Sequence, residues 1–394
     1  MKILIINEVC GVTSTGTICA DLAEYLLGKG HEVKVLYGRL DAPVRCASYS
    51  ERIAPHKEIV LNALSARVFD NCGRGNRAAA KRAVSVIRDF KPDVVHLHNL
   101  HGYYINFPEL FRALAELKIP VVWTLHDMWA LTGHCAYFDS CGCDKWKTGC
   151  GKCPQKKGYP KSLLLDRSAV NYREKKKAYE LLPGMKIVVP SRWLAGFVKE
   201  SILKREALVI PNGVDTSVFK PGKKDYFKEK GLTDKKVVLG VASLWEPRKG
   251  IGYFTKLSEK LSDEYRIVLV GVSDQQKSEL PEKIITIART NDRKELAEIY
   301  SSSYVYLNPT LEDNYPTTNL EAICCGTPVI TFRTGGSPES AELFGTVCEK
   351  NVDSILEAID KASEISTDKL DELRFAMDAD RMKESYEALY KELI

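Results

Sequence analysis

The sequence lacks any apolar run that could cross a membrane. Of its 394 residues 44% are hydrophobic and 28% are charged, but no uninterrupted apolar stretch approaches the roughly 18 to 20 residues that a span requires. The apolar run that follows Met1 is too short for a usual secretory signal, and it leads into a loop and an amphipathic pattern. We therefore interpret residues 2–7 as a β-strand and expect the protein in the cytoplasm.

Several catalytic motifs are also missing. No Walker, GxSxG or HExxH string occurs, and no Ser/His/Asp set can be assembled from spacing. The glycines of residues 10–17, CGVTSTGT, lack the GxGxxG spacing, so a dinucleotide fold is not supported. These absences argue against common hydrolases, P-loop enzymes and dehydrogenases.

The charge is unevenly distributed along the chain. Residues 1–200 hold 30 Lys and Arg against 19 Asp and Glu, a charge of +11, whereas residues 201–394 hold 27 against 33, a charge of −6. A basic half suits an anionic partner such as a membrane surface, although solvated basic helices would give the same count. We expect no nucleic-acid partner.

Short apolar runs alternate with longer amphipathic segments, which is typical of parallel strands joined by crossover helices. This pattern occurs twice, so we predict two doubly wound, Rossmann-like α/β domains that face a cleft. The predicted ranges are 1–205, 206–375, and a helix at 376–394 that crosses back to the first domain. The predicted strands are residues 2–7, 31–38, 93–98, 120–126, 186–191, 206–211, 237–243, 266–271, 283–288, 304–309 and 328–332.

The most specific segment is TLEDNYPTTNLEAICCGTPVI, residues 310–330. A strand ends at Pro309, acids follow in a loop, and a helix that begins near Thr317 contains Glu321. Helix-start N–H groups bind phosphate, and carboxylates accept hydrogen bonds from ribose or sugar hydroxyls. The segment therefore suits a nucleotide sugar.

This segment resembles the sugar-donor signature of family 4 retaining glycosyltransferases of the GT-B fold, those of bacterial polysaccharide or glycolipid biosynthesis. Asp313 and Glu321 hold the spacing of the family's two acids, with Asp313 where the family usually has Glu. The resemblance implies that Glu321 binds ribose hydroxyls, and that Asp313, or Glu312, faces the transferred sugar. It also implies retention of configuration without a required cofactor or catalytic metal.

Three other segments extend the resemblance. The family's phosphate-binding loop is similar to SLWEPRKG, residues 243–250. In GGSPE, residues 335–339, Glu339 lies where the family has an acid. Residues 10–17 resemble the family's Gly-rich loop. The residues implied to bind the sugar donor are Gly11, Gly16, Arg248, Lys249, Glu312, Asp313, Asn314, Thr317, Glu321, Gly336 and Glu339.

Four of the seven histidines lie at predicted strand ends, in HLHNLHGYY, residues 96–104, and TLHD, residues 124–127. Strand ends line the ligand site of such folds, so we expect at least one histidine to touch substrate, and His96 rather to cap a strand. By resemblance His126 contacts the sugar. Asp127 is a candidate acid or base near the acceptor, so the predicted catalytic residues are His126, Asp127 and Asp313.

Five of the twelve cysteines crowd into residues 132–155. CGKC presents Cys150 and Cys153 as a zinc knuckle does, and Cys135 with Cys143 (or Cys141) would complete a structural zinc site. Reduced thiols packed in a loop, or a disulfide, are the alternatives.

The function that we predict is transfer of a hexosyl or related group from a UDP- or GDP-sugar to a glycan or lipid-linked glycan. The inner face of the plasma membrane is a candidate location. A nucleotide-sugar epimerase of the same fold and a non-catalytic nucleotide-sugar-binding subunit are the alternatives.

Overall fold

The computed structural model describes residues 1–290 and 292–394, with only the backbone of residue 229. The chain divides into two compact units, which we call the first unit (Met1–Ile210 with Lys383–Ile394) and the second unit (Pro211–Met382). The sequence had placed the corresponding boundaries near residues 205 and 375. Within the described residues no helix is both long and apolar enough to span a bilayer.

The first unit contains a seven-stranded parallel sheet in the order β3-β2-β1-β4-β5-β6-β7. Its inner strands are continuous apolar runs because helices cover both faces; Ile3 to Ile6, for example, are fully buried. The order reverses between β1 and β4, so the loops after these two strands diverge there. The strands are β1 Lys2–Ile6, β2 Glu32–Tyr37, β3 Ser50–Arg52, β4 Val94–Leu97, β5 Val121–Thr124, β6 Lys186–Val189 and β7 Ala207–Val209.

The helices of the first unit begin and end at recognisable signals. The Asn76 side chain accepts a hydrogen bond of 3.0 Å from Ala79 N and so caps α3. Gly30, with φ of +83°, follows the end of α1. The helices are α1 Thr13–Gly28, α2 His56–Phe69, α3 Arg77–Phe90, α4 Phe107–Leu117, α5 Ser168–Glu180 and α6 Arg192–Glu200.

The second unit contains a six-stranded parallel sheet in the order β10-β9-β8-β11-β12-β13, which reverses between β8 and β11. Successive residues of β8 enter different cores: Val237 and Leu239 pack on one side of the sheet and Val238 on the other. The strands are β8 Lys236–Val241, β9 Tyr265–Val270, β10 Ile284–Ile287, β11 Val305–Asn308, β12 Val329–Phe332 and β13 Gly345–Cys348. The helices are α7 Ile251–Lys260, α8 Asp274–Glu279, α9 Arg293–Ser301, α10 Thr317–Cys324, α11 Ser337–Ala341, α12 Val352–Asp360 and α13 Thr367–Met377.

The last helix, α14 Ala379–Leu393, begins in the second unit and ends in the first. Tyr390 OH lies 2.6 Å from Nδ1 of the fully buried His96, whose Nε2 lies 2.8 Å from Thr124 Oγ1. Tyr386 OH lies 3.0 Å from the same Thr124 hydroxyl. This network gives the polar groups of β4 and β5 their partners under the helix.

The prediction of two doubly wound α/β units is confirmed. Two strands were not predicted: β3 and β13, which both lie at sheet edges. β3 has the sequence SER and β13 begins with Gly345, so neither shows the apolar run that marks a buried strand.

Candidate functional site

The switch point of the second sheet brings two predicted segments together. Arg248 and Lys249 lie in a single short turn after β8, and Asp313 lies in the loop after β11. Because β8 and β11 are neighbours, their carboxyl ends deliver both loops to one place. Lys249 Nζ lies 2.5 Å from Asp313 Oδ2, and Arg248 Nη1 lies 4.0 Å from the same oxygen.

Backbone contacts hold this ion pair in place. Leu311 N donates to Arg248 O at 2.7 Å, and Arg248 Nη1 donates to Glu312 O at 3.2 Å. Burial alone would raise the pKa of Asp313, but Lys249 and Arg248 outweigh burial and lower that pKa below its ordinary value. Asp313 is therefore ionised near neutral pH.

Two glycines permit the close approach of the loops. Gly250 has φ of +75°, and a Cβ there would lie 2.1 Å from Pro309 O. Gly335 has φ of +57°, and a Cβ there would lie 2.1 Å from Asp313 O. No other residue type fits either position without moving the loop that carries Asp313.

The remaining predicted residues of this loop surround Asp313. Asn314 N donates to Asp313 Oδ1 at 2.9 Å, and Gly336 N donates to Asp313 O at 3.0 Å. Glu312 is buried, Thr317 begins α10, and Glu339 lies half-buried in the first turn of α11. The structure thus gathers the loops after β8, β11 and β12 at one end of the sheet.

Glu321 lies on α10, partly buried, and its Oε2 accepts a hydrogen bond of 3.2 Å from Tyr300 OH. Burial raises the pKa of Glu321 to about 7, against an opposing effect of Arg293 and Tyr300. A carboxyl group with its pKa near neutrality is typical of ligand-binding and catalytic sites. Sequence reasoning missed Tyr300 and Arg293 because nothing in the local string of α9 marks them.

Asn319 was also missed. Its fully buried carboxamide accepts from Asn308 Nδ2 at 2.8 Å and donates to Ser340 Oγ at 2.9 Å and Ser337 Oγ at 3.2 Å. It therefore joins β11, α10 and α11, the elements that carry the predicted acids. An Asn two residues before Glu321, in an otherwise apolar helix face, is the signal that could have found it.

The first unit has a matching arrangement at its own switch point. Gly11, with φ of +68°, follows β1, and its N–H donates to Gly16 O at 2.8 Å. Gly16 lies within α1, where a Cβ would approach Val9 Cγ2 to 2.9 Å. Neither glycine forms a phosphate-binding fingerprint by itself, but both keep the loop close to the end of β1.

His126 follows β5 and faces His98, which follows β4: His98 Nδ1 lies 2.9 Å from His126 Nε2. Burial lowers the pKa of His126 to about 4 and that of His98 well below its ordinary value, so both rings are neutral near pH 7. Among the described residues His98 Nε2 is buried without a hydrogen-bond partner. His98 was predicted only as one of four strand-end histidines.

Asp127 is held between two hydrogen-bond donors. Its Oδ2 lies 2.7 Å from His101 Nε2, and its Oδ1 accepts a hydrogen bond of 2.8 Å from Trp129 N. Burial would raise the pKa of Asp127, but the His101 ring and the hydrogen bonds lower it overall. His101 Nδ1 lies 2.9 Å from Tyr159 OH, so His101 links two side chains that the sequence separates widely.

The predicted structural zinc site is not supported. Cys135, Cys143, Cys150 and Cys153 line one small cavity, and Cys135 and Cys153 interact through their thiols. However, in the part of the chain that the structure describes, no three His, Cys, Asp or Glu side chains form a group that could hold a metal ion. All twelve cysteines are free, so the disulfide alternative is not supported either.

Comparison with known proteins identifies the chain. The sequence model described as Glycosyltransferase Family 4 matches residues 15–218, more than half of the chain, and the model described as Glycosyl transferases group 1 matches residues 222–378. The chain belongs to glycosyltransferase family 4. This glycosyltransferase is 25% identical over 377 residues to the putative colanic acid biosynthesis glycosyl transferase WcaC of Escherichia coli K12, with 89% of this chain and 88% of the relative covered.

Solved structures show the same fold. Sucrose-phosphate synthase of Thermosynechococcus elongatus aligns over 100% of this glycosyltransferase and 98% of its own chain, with a TM-score of 0.71 and 14% identity. Anabaena HepE in complex with UDP aligns over 100% of both chains, with a TM-score of 0.64 and 15% identity. The predicted GT-B fold and family are therefore confirmed.

Proposed function

We propose that this glycosyltransferase moves a hexosyl or related group from a UDP- or GDP-sugar to a glycan or lipid-linked glycan, with retention of anomeric configuration. The single observation that carries the proposal is the contact of Lys249 and Arg248 with Asp313 at the switch point of the second sheet. Two cations beside one ionised carboxylate suit a ligand that joins a diphosphate to a hydroxylated ring. HepE, a structural neighbour, is itself in complex with UDP.

In this proposal Arg248 and Lys249 bind the diphosphate of the sugar donor. As the glycosidic bond breaks, negative charge grows on the departing nucleotide diphosphate, and fixed cations stabilise that charge. Asp313 is already ionised and accepts hydrogen bonds from the sugar hydroxyls. The ion pair with Lys249 fixes the orientation of Asp313 before the sugar donor binds, which reduces the ordering cost at binding.

Glu321 binds the ribose hydroxyls in this assignment. An ionised carboxylate accepts two hydrogen bonds from a vicinal diol, and that interaction favours the charged form of a group whose pKa is about 7. In molecules whose Glu321 is protonated, binding of the sugar donor is therefore coupled to release of that proton. Asn314, Thr317, Gly336 and Glu339 complete the predicted contacts.

We assign binding of the acceptor to the first unit. His126 contacts the sugar, and the neutral His98 fixes its orientation through the 2.9 Å contact between them. Asp127 is predicted to act as an acid or a base. Because its pKa is lowered and it is ionised, we assign it the role of a base. Gly11 and Gly16 keep the loop after β1 near this end of the sheet. We expect the protein at the inner face of the plasma membrane, as its basic N-terminal half suggests.

A panel of nucleotide diphosphate sugars in a thermal-shift assay tests the donor class. A ligand present at 100 times its Kd stabilises the folded state by about 2.7 kcal/mol and raises the melting midpoint. We expect UDP- or GDP-sugars to do so with the parent protein and to give a clearly smaller shift with Lys249→Ala. Lys260→Ala, which removes a cation from an exposed pair with Asp353, is the matched control and should respond like the parent.

Activity assays separate the alternatives. NMR of the sugar donor incubated alone would show a new epimer if the protein were an epimerase, whereas a transferase needs an acceptor. The anomeric coupling of the product reports retention or inversion. If Asp313→Ala leaves product formation intact, the assignment of the sugar-facing acid is wrong; if no sugar donor gives product but one binds, the non-catalytic reading is correct.

A further inference from the structure

The first unit carries an apolar surface that the proposed chemistry does not use. It consists of six side chains on two segments, which together we call the leucine surface: Leu61, Leu64 and Phe69 of α2, and Leu163, Leu164 and Leu165. Their exposed fractions run from 47% at Leu165 to 66% at Leu164. Single exposed leucines are ordinary, but a group of this kind marks an interaction site.

The two segments meet at the carboxyl end of α2. In α2 the residues that enter the core, Ile59 and Ala66, are seven positions apart on one face, while Leu61 and Leu64 lie on another. The other segment is fixed beside the end of this helix, because Leu163 N donates to Arg67 O at 2.7 Å and Leu165 N donates to Val68 O at 3.1 Å. The second segment is therefore anchored to the carboxyl end of α2.

Cations accompany the leucine surface. Lys57 and Arg67 lie on α2, Lys156 Nζ donates to Leu164 O at 3.2 Å, and two more lysines precede the leucines at positions 157 and 161. Among the described residues none of these five forms an ion pair with a carboxylate. The carboxylates nearby in sequence are committed elsewhere: Glu58 pairs with Arg82, and Asp166 accepts from Cys153 N at 2.6 Å.

We propose that the leucine surface docks this protein on an anionic lipid membrane, with the leucines inserted among the headgroups and the five cations against the lipid phosphates. The proposal rests on the proposed function, in which the acceptor is lipid-linked. Apolar side chains flanked by lysines match the apolar boundary and the negative charge of such a surface, whereas a second copy of this chain would bring like charges together.

Vesicle co-sedimentation of the full chain tests the proposal. With vesicles of phosphatidylglycerol and phosphatidylcholine we expect binding that falls as salt is raised, and much weaker binding to phosphatidylcholine alone. The double variant Leu61→Glu/Leu64→Glu should lose about tenfold or more of this binding. Replacing the lysines at 157 and 161 by alanine should lose about fivefold for each. Leu181→Glu, exposed at 43% beyond the other end of α5, is the matched control and should bind like the parent.

Thermal-shift response to the sugar donor is measured on every variant and should be unchanged, which shows that each is folded. Loss of vesicle binding with an intact response to the sugar donor supports the proposal. The proposal is overturned if the parent and the double variant bind vesicles equally, or if neutral and anionic vesicles are bound equally. It is also overturned if light scattering shows that the parent is a dimer and that the double variant is not. If vesicles bind as expected but no sugar donor does, the proposed function fails and the docking surface stands.

Discussion

Replacing Glu321 by Gln should stabilise the folded protein at alkaline pH while removing the proposed ribose ligand. The carboxyl group is partly buried on α10 and accepts a hydrogen bond of 3.2 Å from a neutral donor, Tyr300 OH. Its pKa is about 7 in the folded protein against an ordinary value of 4.5. The charged form is therefore less favourable in the folded chain than in the unfolded chain.

The magnitude follows from linkage. A raised carboxyl pKa gives a contribution to stability that is fully present below about pH 4.5 and is lost as the pH rises through about 7. The difference of about 2.5 pKa units, at 1.36 kcal/mol for each unit, amounts to about 3 kcal/mol. Gln cannot ionise, so the free energy of unfolding of Glu321→Gln relative to the parent should rise by up to about 3 kcal/mol between pH 4.5 and pH 8.

Urea unfolding of parent and variant at pH 4.5, 6, 7 and 8 measures this difference directly. Tyr300→Phe removes a hydrogen bond that favours the ionised form of Glu321. The free energy of unfolding of this variant should therefore fall more steeply with pH than that of the parent. Glu342→Gln removes one exposed carboxyl and controls for the change in net charge. A difference between Glu321→Gln and the parent that stays constant with pH would refute the reasoning. The same variant should lose binding of the sugar donor, and the parent should bind it about tenfold less well at pH 6 than at pH 8.

Three further predictions concern other contacts. Lys249→Ala removes charge-assisted hydrogen bonds to the diphosphate, each worth about 1.5 to 3 kcal/mol, so kcat/KM should fall about 10- to 150-fold in a radiolabelled transfer assay, while Lys260→Ala should match the parent. Tyr390→Phe leaves buried His96 Nδ1 without its 2.6 Å partner and should lower the free energy of unfolding by about 1 to 3 kcal/mol. An unchanged midpoint in urea unfolding would contradict this prediction. Gly335→Ala, at a φ of +57°, should reduce the thermal-shift response to the sugar donor, because the loop that carries the ion pair must move.

The fold could be predicted wherever strands are buried on both faces. Such strands read as apolar runs, and the loops after them hold the short polar motifs, so the loop of Asp313 was placed correctly after β11. β3 could not be predicted because it is a three-residue, partly exposed edge strand of polar composition. Its parallel pairing with β2 depends on contacts that are distant in sequence.

The site could be predicted only as far as residues lie within one motif. Lys249 and Asp313 were proposed separately, and their 2.5 Å contact depends on the neighbouring positions of β8 and β11 in the sheet. The pKa of Glu321 depends on burial by the tertiary fold, which no local pattern encodes. The zinc prediction is not supported: cysteine spacing brought four thiols to one cavity, but among the described residues they do not form a group that could hold a metal ion, which also needs a defined ligand geometry.

The contacts of α14 with β4 and β5 have a consequence for how this chain folds during synthesis. Domains generally fold as units as the chain is made. Here the helix that supplies Tyr390 to His96 is separated from the rest of the first unit by the whole second unit. His96 in the first unit therefore lacks this partner until residues 383–394 have been made and can pack against β4. A pause in translation within the second unit would prolong the lifetime of this incomplete first unit and its exposure to chaperones.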